Sequence, residues 1–259
     1  MSNHILHRGI IYGGNIVNDF LILVFIFFVG SIAGWIIELI FRRFFSAANP
    51  KRRWINPGFL IGPYLPLYGF GLCALFLLAQ INISFIHNKF MKELVLFTIM
   101  AMVVTYIEYI AGVIFIKGMK IKLWDYTNEY GNIQGIICPK FSIFWAILSA
   151  IYYFLIHPHI LESFYFLSHY LSFSFIMGFL YGIFVIDVCY SLKVMVYIRK
   201  FAHDNEIIVK YELLKDNIRK RNEELIGKKK FTFIMYSRRE EFIRCLRHYK
   251  EEENKKKKL

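Results

Sequence analysis

The strongest constraint on this chain is the way its apolar residues are blocked. Long, nearly uncharged stretches fall at about residues 20–41, 59–78, 94–116, 136–156 and 173–198. A helix rising 1.5 Å per residue needs roughly 20 apolar residues to cross a hydrocarbon core of about 30 Å. Each block has that length. The chain therefore reads as all-α: a polytopic membrane helix bundle of about five transmembrane helices. Composition agrees, with 57% hydrophobic residues, where a soluble domain averages about 45–50%. A soluble enzyme, an extracellular disulfide scaffold and a disordered chain are excluded. The first block is too long for a secretory leader, lacks an A-x-A-like site and carries Glu38 near its end, so it is read as a retained span.

Charge divides the chain into residues 1–198, a transmembrane domain, and residues 199–259, a basic helical tail. The net charge is +13. Short-loop lysines and arginines set orientation. Arg42, Arg43, Lys51, Arg52, Arg53, Lys117, Lys120, Lys122, Lys193, Arg199 and Lys200 fall on one side, and Arg8, Lys89 and Lys92 on the other. This predicts an external N-terminus and a cytoplasmic tail. A basic tail beside a membrane reads as attraction to anionic lipid. No recognition motif accompanies it, so nucleic acid is not expected as a partner.

Within the tail, Ile207, Tyr211, Leu214, Ile218 and Leu225 recur at helical spacing, with Arg221 on the same stripe. Phe242, Leu246 and Tyr249 form a second amphipathic stretch, and Gly227 with Lys228 to Lys230 marks a break between the two. Cys73, Cys138, Cys189 and Cys245 show neither C-x-x-C pairing nor metal spacing. His157-Pro158-His159 with Glu162 lacks a fixed ligand spacing, and most of the other histidines (His4, His7, His87, His169) also fall on the outer side. No metal or other cofactor is expected.

Polar residues inside the apolar blocks carry the functional signal. Glu38 sits in Gly34-Trp35-Ile36-Ile37-Glu38 near the end of the first block, with Arg42 four residues on and on the same helical face. Its plain alternative is an interfacial ion pair that fixes helix depth. Residues 56–71 hold three prolines and four glycines: Pro57, Pro63, Pro66, Gly58, Gly62, Gly69 and Gly71. No ordinary helix tolerates that density. Broken backbone at membrane depth survives where it is buried in protein or lines a wet cavity, and its freed amides and carbonyls can bind ions. Asn56, Gly58, Gly62, Pro63, Tyr64, Pro66 and Tyr68 are therefore cavity candidates; a kinked, glycine-packed helix is the alternative. Glu108 lies well inside the third block, and an intramembrane carboxylate is a functional-site hypothesis by default. Trp124, Asp125, Tyr126 and Asn132 form a loop entering the fourth block, either as turn and interfacial residues or as a segment closing over the broken span. Asp187 in the fifth block needs a polar neighbour, and Lys140 is a candidate.

Several of these stretches resemble the CmpB-like family of type IV ABC-transporter permeases, bacterial multi-pass proteins related to a small animal transmembrane family. The resemblance rests on Gly34-Trp35-x-x-Glu38, on residues 56–71, on Glu108-Tyr109-x-x-Gly112, on Trp124-Asp125-Tyr126, and on Asn132-x-x-Gly135-x-Ile137-Cys138 with Trp145. It covers about residues 30–150. It implies a transport permease working with a separate ATPase subunit. One departure is Ile136, where the family tends to have a basic residue; Lys140, one turn further on, is the candidate substitute for pairing with Glu38 or Glu108.

The chain has no G-x-x-x-x-G-K-[ST], G-x-S-x-G or H-E-x-x-H. It therefore carries no ATP site of its own and no catalytic motif. The expected function is a permease-like membrane protein with a polar cavity near the cytoplasmic side, in contact with membrane lipids and completed by a homo-oligomer or a partner. Two other classes remain open. One is an adaptor recruiting a partner through the tail stripe. The other is an enzyme acting on lipid substrates, with the carboxylates as acid and base.

Overall fold

A computed structural model of the chain describes residues 16–46, 49–81, 83, 86–160, 171–226 and 239–257. His4, His7, Arg8, Glu162, His169 and the break at 227–230 lie outside these, as do the side chains of Arg221 and Leu225. Helices dominate: α1 (Ile16–Phe44), α2 (Pro66–Ala79), α3 (Lys89–Val113), α4 (Pro139–Ile151), α5 (Leu171–Asp204), α6 (Tyr211–Ile226) and α7 (Arg239–Lys257). Wider π-type turns extend α3 through Ile114–Gly118 and α4 through Tyr152–Ile156. Two short strands, β1 (Ile121–Lys122) and β2 (Val209–Lys210), pair in parallel, with Ile121 beside Val209 and Lys122 beside Lys210.

Among the described residues, four helices are long and apolar enough to cross a membrane: Phe20–Phe44, Lys89–Gly118, Pro139–Ile160 and Phe175–Asp204. They correspond to the first, third, fourth and fifth apolar blocks. The second block takes a different form. Its proline-rich half, residues 56–65, is irregular, and only Pro66–Ala79 is helical. Pro66 stands at the first helical position, where its missing N–H costs nothing. A helix of 14 residues reaches only about 21 Å at 1.5 Å per residue. The irregular half therefore supplies the rest of the depth, where it is packed against protein as lipid-excluded backbone must be.

Helix α2 lies against α1 because glycine permits it. A Cβ on Gly34 would stand 2.1 Å from the Tyr68 ring, so the two helices meet with the tyrosine seated on the glycine. Beyond that contact, Ile26, Leu75, Phe76, Leu96, Met100, Val104 and Trp145 form a core shared by α1 to α4. A second cluster of Phe28, Leu60, Tyr64 and Phe184 fastens α5 to α1 and the irregular segment. The outward flanks carry large apolar side chains, such as Phe179 and Ile186 of α5 and Ile36 and Ile40 of α1. On a multi-pass membrane protein these contact lipid.

The tail-side cap has its own core. Ile121, Met195, Ile198, Ala202, Val209, Tyr211, Leu214, Ile218, Phe242, Leu246 and Tyr249 bury one another. The apolar stripe of α6 thus faces the end of α5 and the apolar face of α7. Its Tyr211, Leu214 and Ile218 are spent on intramolecular packing. Strand β1 brings the loop after α3 into this core, and the Val209 amide donates to the Lys120 carbonyl at 2.9 Å.

Candidate functional site

The irregular segment is held by two side chains that replace its missing helical bonds. Asn56 organises the first half. Its Oδ1 accepts from the Trp35 indole at 2.8 Å and from the Gly58 amide at 3.2 Å, and its Nδ2 donates to the Leu60 carbonyl at 2.8 Å. Asp187 organises the second half, accepting from the amides of Ile61 at 3.0 Å and Gly62 at 2.7 Å and from the Ser191 hydroxyl at 3.0 Å. Gly62 is required there, since a Cβ would lie 2.4 Å from the Tyr64 ring and 3.0 Å from Asp187 Oδ2.

Lys140 is therefore not the neighbour of Asp187. It pairs with Glu129 at 3.1 Å instead. Free backbone amides of a broken segment satisfy the aspartate more cheaply than a lysine from another helix, because they are already fixed in place. Nor does Lys140 serve Glu38 or Glu108. Ile136, at the position of the departure, is buried against Gly112, where a Cβ would stand 2.3 Å from Ile136 Cγ2.

The two intramembrane glutamates meet different partners. Glu38 Oε1 accepts from Arg42 Nε at 2.9 Å, and its Oε2 from the Tyr68 hydroxyl at 3.3 Å. Glu108, only 3% exposed, accepts from the Tyr126 hydroxyl at 3.1 Å and the Trp145 indole at 2.9 Å. The Tyr68 and Trp145 rings lie 4.8 Å apart, centroid to centroid. The two carboxylate sites are thus joined through aromatic donors whose rings meet at a tilt of 46° into one polar seam between α1, α2, α3 and α4. Arg42, Tyr68, Glu38, Glu108 and Tyr126 come together there, with Trp35 and Asn56 at its tail-side end.

Other sequence candidates shape the surroundings. Trp124 donates to the Ile136 carbonyl at 2.8 Å, and Asn132 ties the loop through Gly135 N at 3.0 Å and Glu129 O at 2.9 Å. Asp125 pairs with Lys122 at 2.7 Å and Lys210 at 2.9 Å. Burial alone would raise the Asp125 carboxyl, but hydrogen bonds from Lys122, Thr127 and Lys210 outweigh it and hold the group well below the ordinary carboxylate range. Tyr64 packs in the α5 cluster, Pro63 is exposed, and Gly58 lies beside Tyr64 and Leu65. Among the basic residues after α1, the Arg43 guanidinium lies 4.3 Å over the Trp54 ring. His157 bonds the Tyr152 hydroxyl at 2.9 Å.

Two participants come from α6 and were not visible in the sequence. Glu212 lies 2.8 Å from Arg42 and 3.1 Å from Lys215. Lys215 Nζ donates to the Asn56 carbonyl at 2.8 Å. The result is a continuous chain from Tyr68 through Glu38, Arg42, Glu212 and Lys215 to the irregular segment. Burial would raise the Glu212 carboxyl, yet the charges of Arg42 and Lys215 hold it below its usual value. Burial lowers the Lys215 ammonium, and the neighbouring Glu212 charge only partly restores it. An acid and a base three apart on an amphipathic helix read as an ordinary exposed pair. The only earlier hint was Arg42, a cation at a helix end with more donors than Glu38 can accept.

Compared with known families, residues 25–192 match the family model described as "Putative ABC-transporter type IV", CmpB. No curated protein and no solved structure matches the chain.

Proposed function

The chain belongs to the CmpB family of type IV ABC-transporter proteins, and from that premise we propose that it is a permease subunit, energised by a separate ATPase. The substrate path follows the polar seam of Glu38, Arg42, Tyr68, Glu108 and Tyr126. The observation that carries this reading is Glu108: a carboxylate 3% exposed inside an apolar span, met by two neutral donors and, among the described residues, by no cation. Such a group is expensive to keep in a membrane and is retained where it handles polar cargo or a proton. The side chains of the seam satisfy one another here, so this conformation is the closed one. Opening requires Tyr126 or Trp145 to turn away from Glu108.

The lysine and arginine distribution supports a tail in the cytoplasm and an N-terminus outside, which puts α6 and α7 on the side where an ATPase works. The four long spans and one broken one among the described residues make a small bundle, so a second copy or a partner completes the path. The adaptor reading is disfavoured by the burial of Tyr211, Leu214 and Ile218 within the chain's own cap.

The full-length protein purified in mild detergent is expected to carry a stoichiometric ATP-hydrolysing subunit, detected by mass spectrometry. Reconstituted with it, Glu108→Gln is expected to keep expression and assembly while losing ATP-dependent transport. Purification with no ATPase, or a fully active Glu108→Gln, overturns the proposal.

A further inference from the structure

The end of α1 carries a second group of charges, built differently from the polar seam. Arg43 and Arg52 brace each other there. Arg43 Nη1 donates to the Arg52 carbonyl at 2.8 Å, and Arg52 Nη1 donates to the carbonyls of Arg43, at 3.2 Å, and of Phe44. The buried Asn49 donates to the Arg42 and Arg53 carbonyls at 3.1 and 2.7 Å and accepts from the Arg53 amide at 3.1 Å. These bonds fix Arg52 in the left-handed region, at φ +48°, which an arginine adopts only where its surroundings impose it. The result is a fixed platform on which Lys51 and Arg52 stand exposed.

Its charge is unbalanced. Arg42, Lys122, Lys210 and Lys215 each pair with a carboxylate. Arg43, Lys51 and Arg52 pair with none among the described residues. Capping the end of α1 accounts for Arg52 Nη1 but neutralises nothing. Nη2 of each guanidinium has no partner among the described residues, and Arg43 Nε is buried without one.

Position selects the anion. Arg43 is next to last in the apolar span Phe20–Phe44, so the platform stands at headgroup level. Its guanidinium covers the Trp54 ring, and Phe44 meets Trp54 edge-on at 6.3 Å. Phe44, Phe45 and Trp54 are all exposed, as aromatic residues at a membrane interface are. Phe44 also ends a stripe, with Ile40 one turn and Ile36 two turns earlier, both exposed. An apolar strip running up to unpaired cations matches a molecule with an acyl chain and an anionic head. A soluble anion would use the cations and leave the strip idle.

We propose that the end of α1 is a binding site for one anionic phospholipid of the tail-side leaflet. Arg43, Lys51 and Arg52 hold its phosphate, and an acyl chain lies along Phe44, Ile40 and Ile36. The planar guanidinium fork suits a phosphate, and Lys51 adds a point charge. Asn49 ties the platform to the Arg42 carbonyl, so an occupied site steadies the helix end that carries Arg42 into the seam. The site does not depend on the permease reading.

Full-length protein, delipidated in dodecyl maltoside, is titrated with dioleoylphosphatidylglycerol or dioleoylphosphatidylcholine, and bound lipid is read by native mass spectrometry. Wild type is expected to hold one phosphatidylglycerol in preference to phosphatidylcholine. Each cation near an anionic lipid is worth about fivefold in affinity. Arg43→Gln combined with Arg52→Gln is therefore expected to weaken phosphatidylglycerol about 25-fold and to leave phosphatidylcholine unchanged. Lys117→Gln combined with Lys200→Gln removes two exposed cations elsewhere and is expected to change either lipid by no more than about twofold. Because Arg52 also caps α1, the double variant has a second arm that holds if it fails to fold. Lys51→Gln alters an exposed side chain and is expected to melt as wild type in detergent and to bind phosphatidylglycerol about fivefold more weakly. Equal binding of the two lipids by wild type, full phosphatidylglycerol affinity in the folded variants, or an equal loss in the Lys117 and Lys200 control overturns the site. Release of the lipid by excess inorganic phosphate would show that the cations bind phosphate without the strip, and overturns a lipid as the ligand.

Discussion

The two ends of the polar seam handle negative charge in opposite ways. Inside the bundle, Glu108 is met by a phenol and an indole, both neutral. At the tail-side rim, Glu38 and Glu212 share Arg42, Glu212 also faces Lys215, and Asp125 lies between Lys122 and Lys210. The rim can hold cations because Lys and Arg stems reach it from helix ends and their charge stays near water. Deep in the apolar span a cation would itself need solvating, so neutral donors from tightly packed rings serve instead. The rim is thus fastened by charge, and the interior only by hydrogen bonds. An opening step that begins by turning one ring has less to break than one that begins by parting Arg42 from two carboxylates.

The largest expected effect comes from Arg42→Met, which removes the cation shared by Glu38 and Glu212. Deleting Arg42 leaves two partly buried carboxylates unpaired, at a cost of about 3 kcal/mol for the two together, and in a chain of this size that is a fall of roughly 6–12 °C in thermal midpoint. The measurement is a melt of the purified full-length protein. A midpoint within 2 °C of wild type, about what a negligible change gives, would mean that charge does not fasten the rim.

Tyr126→Phe gives the matching figure for the interior. It deletes one hydroxyl, leaves the ring stacked on Phe141 at 4.3 Å, and takes one donor from Glu108. Stranding a buried acceptor costs about 1–3 kcal/mol, less than the Arg42 change. Should Tyr126→Phe destabilise more than Arg42→Met, the comparison is reversed and Glu108 is the anchor of the bundle.

The contrast between rim and interior also marks how far the sequence could be read. The spans were legible because an apolar block of about 20 residues has few alternatives. The broken half of the second span was legible because Pro57, Pro63 and Gly62 cannot continue a helix. Glu38 and Glu108 were recognisable as residue types out of place, Arg42 as the residue one turn on that could pair with Glu38, and Tyr126 as part of the loop entering the fourth block. Their partners were not. Trp145 reaches Glu108 across 37 residues of sequence, and Lys215 reaches Asn56 across 159. No local pattern encodes such pairings. Asp187 was paired with the wrong group because backbone amides carry no sequence signature, although the break at Gly62-Pro63 was the sign that some had been freed. Glu212 and Lys215 were passed over because their spacing is that of an ordinary exposed helix pair.

The smallest effect is expected at Asp125, where the comparison can be tested by pH. Its folded pKa is depressed by Lys122, Thr127 and Lys210, so the folded protein binds fewer protons at this group than the unfolded chain, whose value is about 3.9. The stabilisation is therefore complete above about pH 5 and is lost as pH falls through the unfolded value toward the folded one. Asp125 is partly open to solvent, so its contribution is under about 1 kcal/mol. Melts of wild type and Asp125→Asn from pH 7 to pH 3 are expected to show a gap of roughly 1–3 °C at pH 7 that begins to narrow as the pH falls below the unfolded value. The same gap at every pH would mean that Asp125 acts through the shape of its hydrogen bonds to Thr127, with the two lysines adding nothing. In that case the charge-fastened rim would shrink to Arg42, Glu38, Glu212 and Lys215.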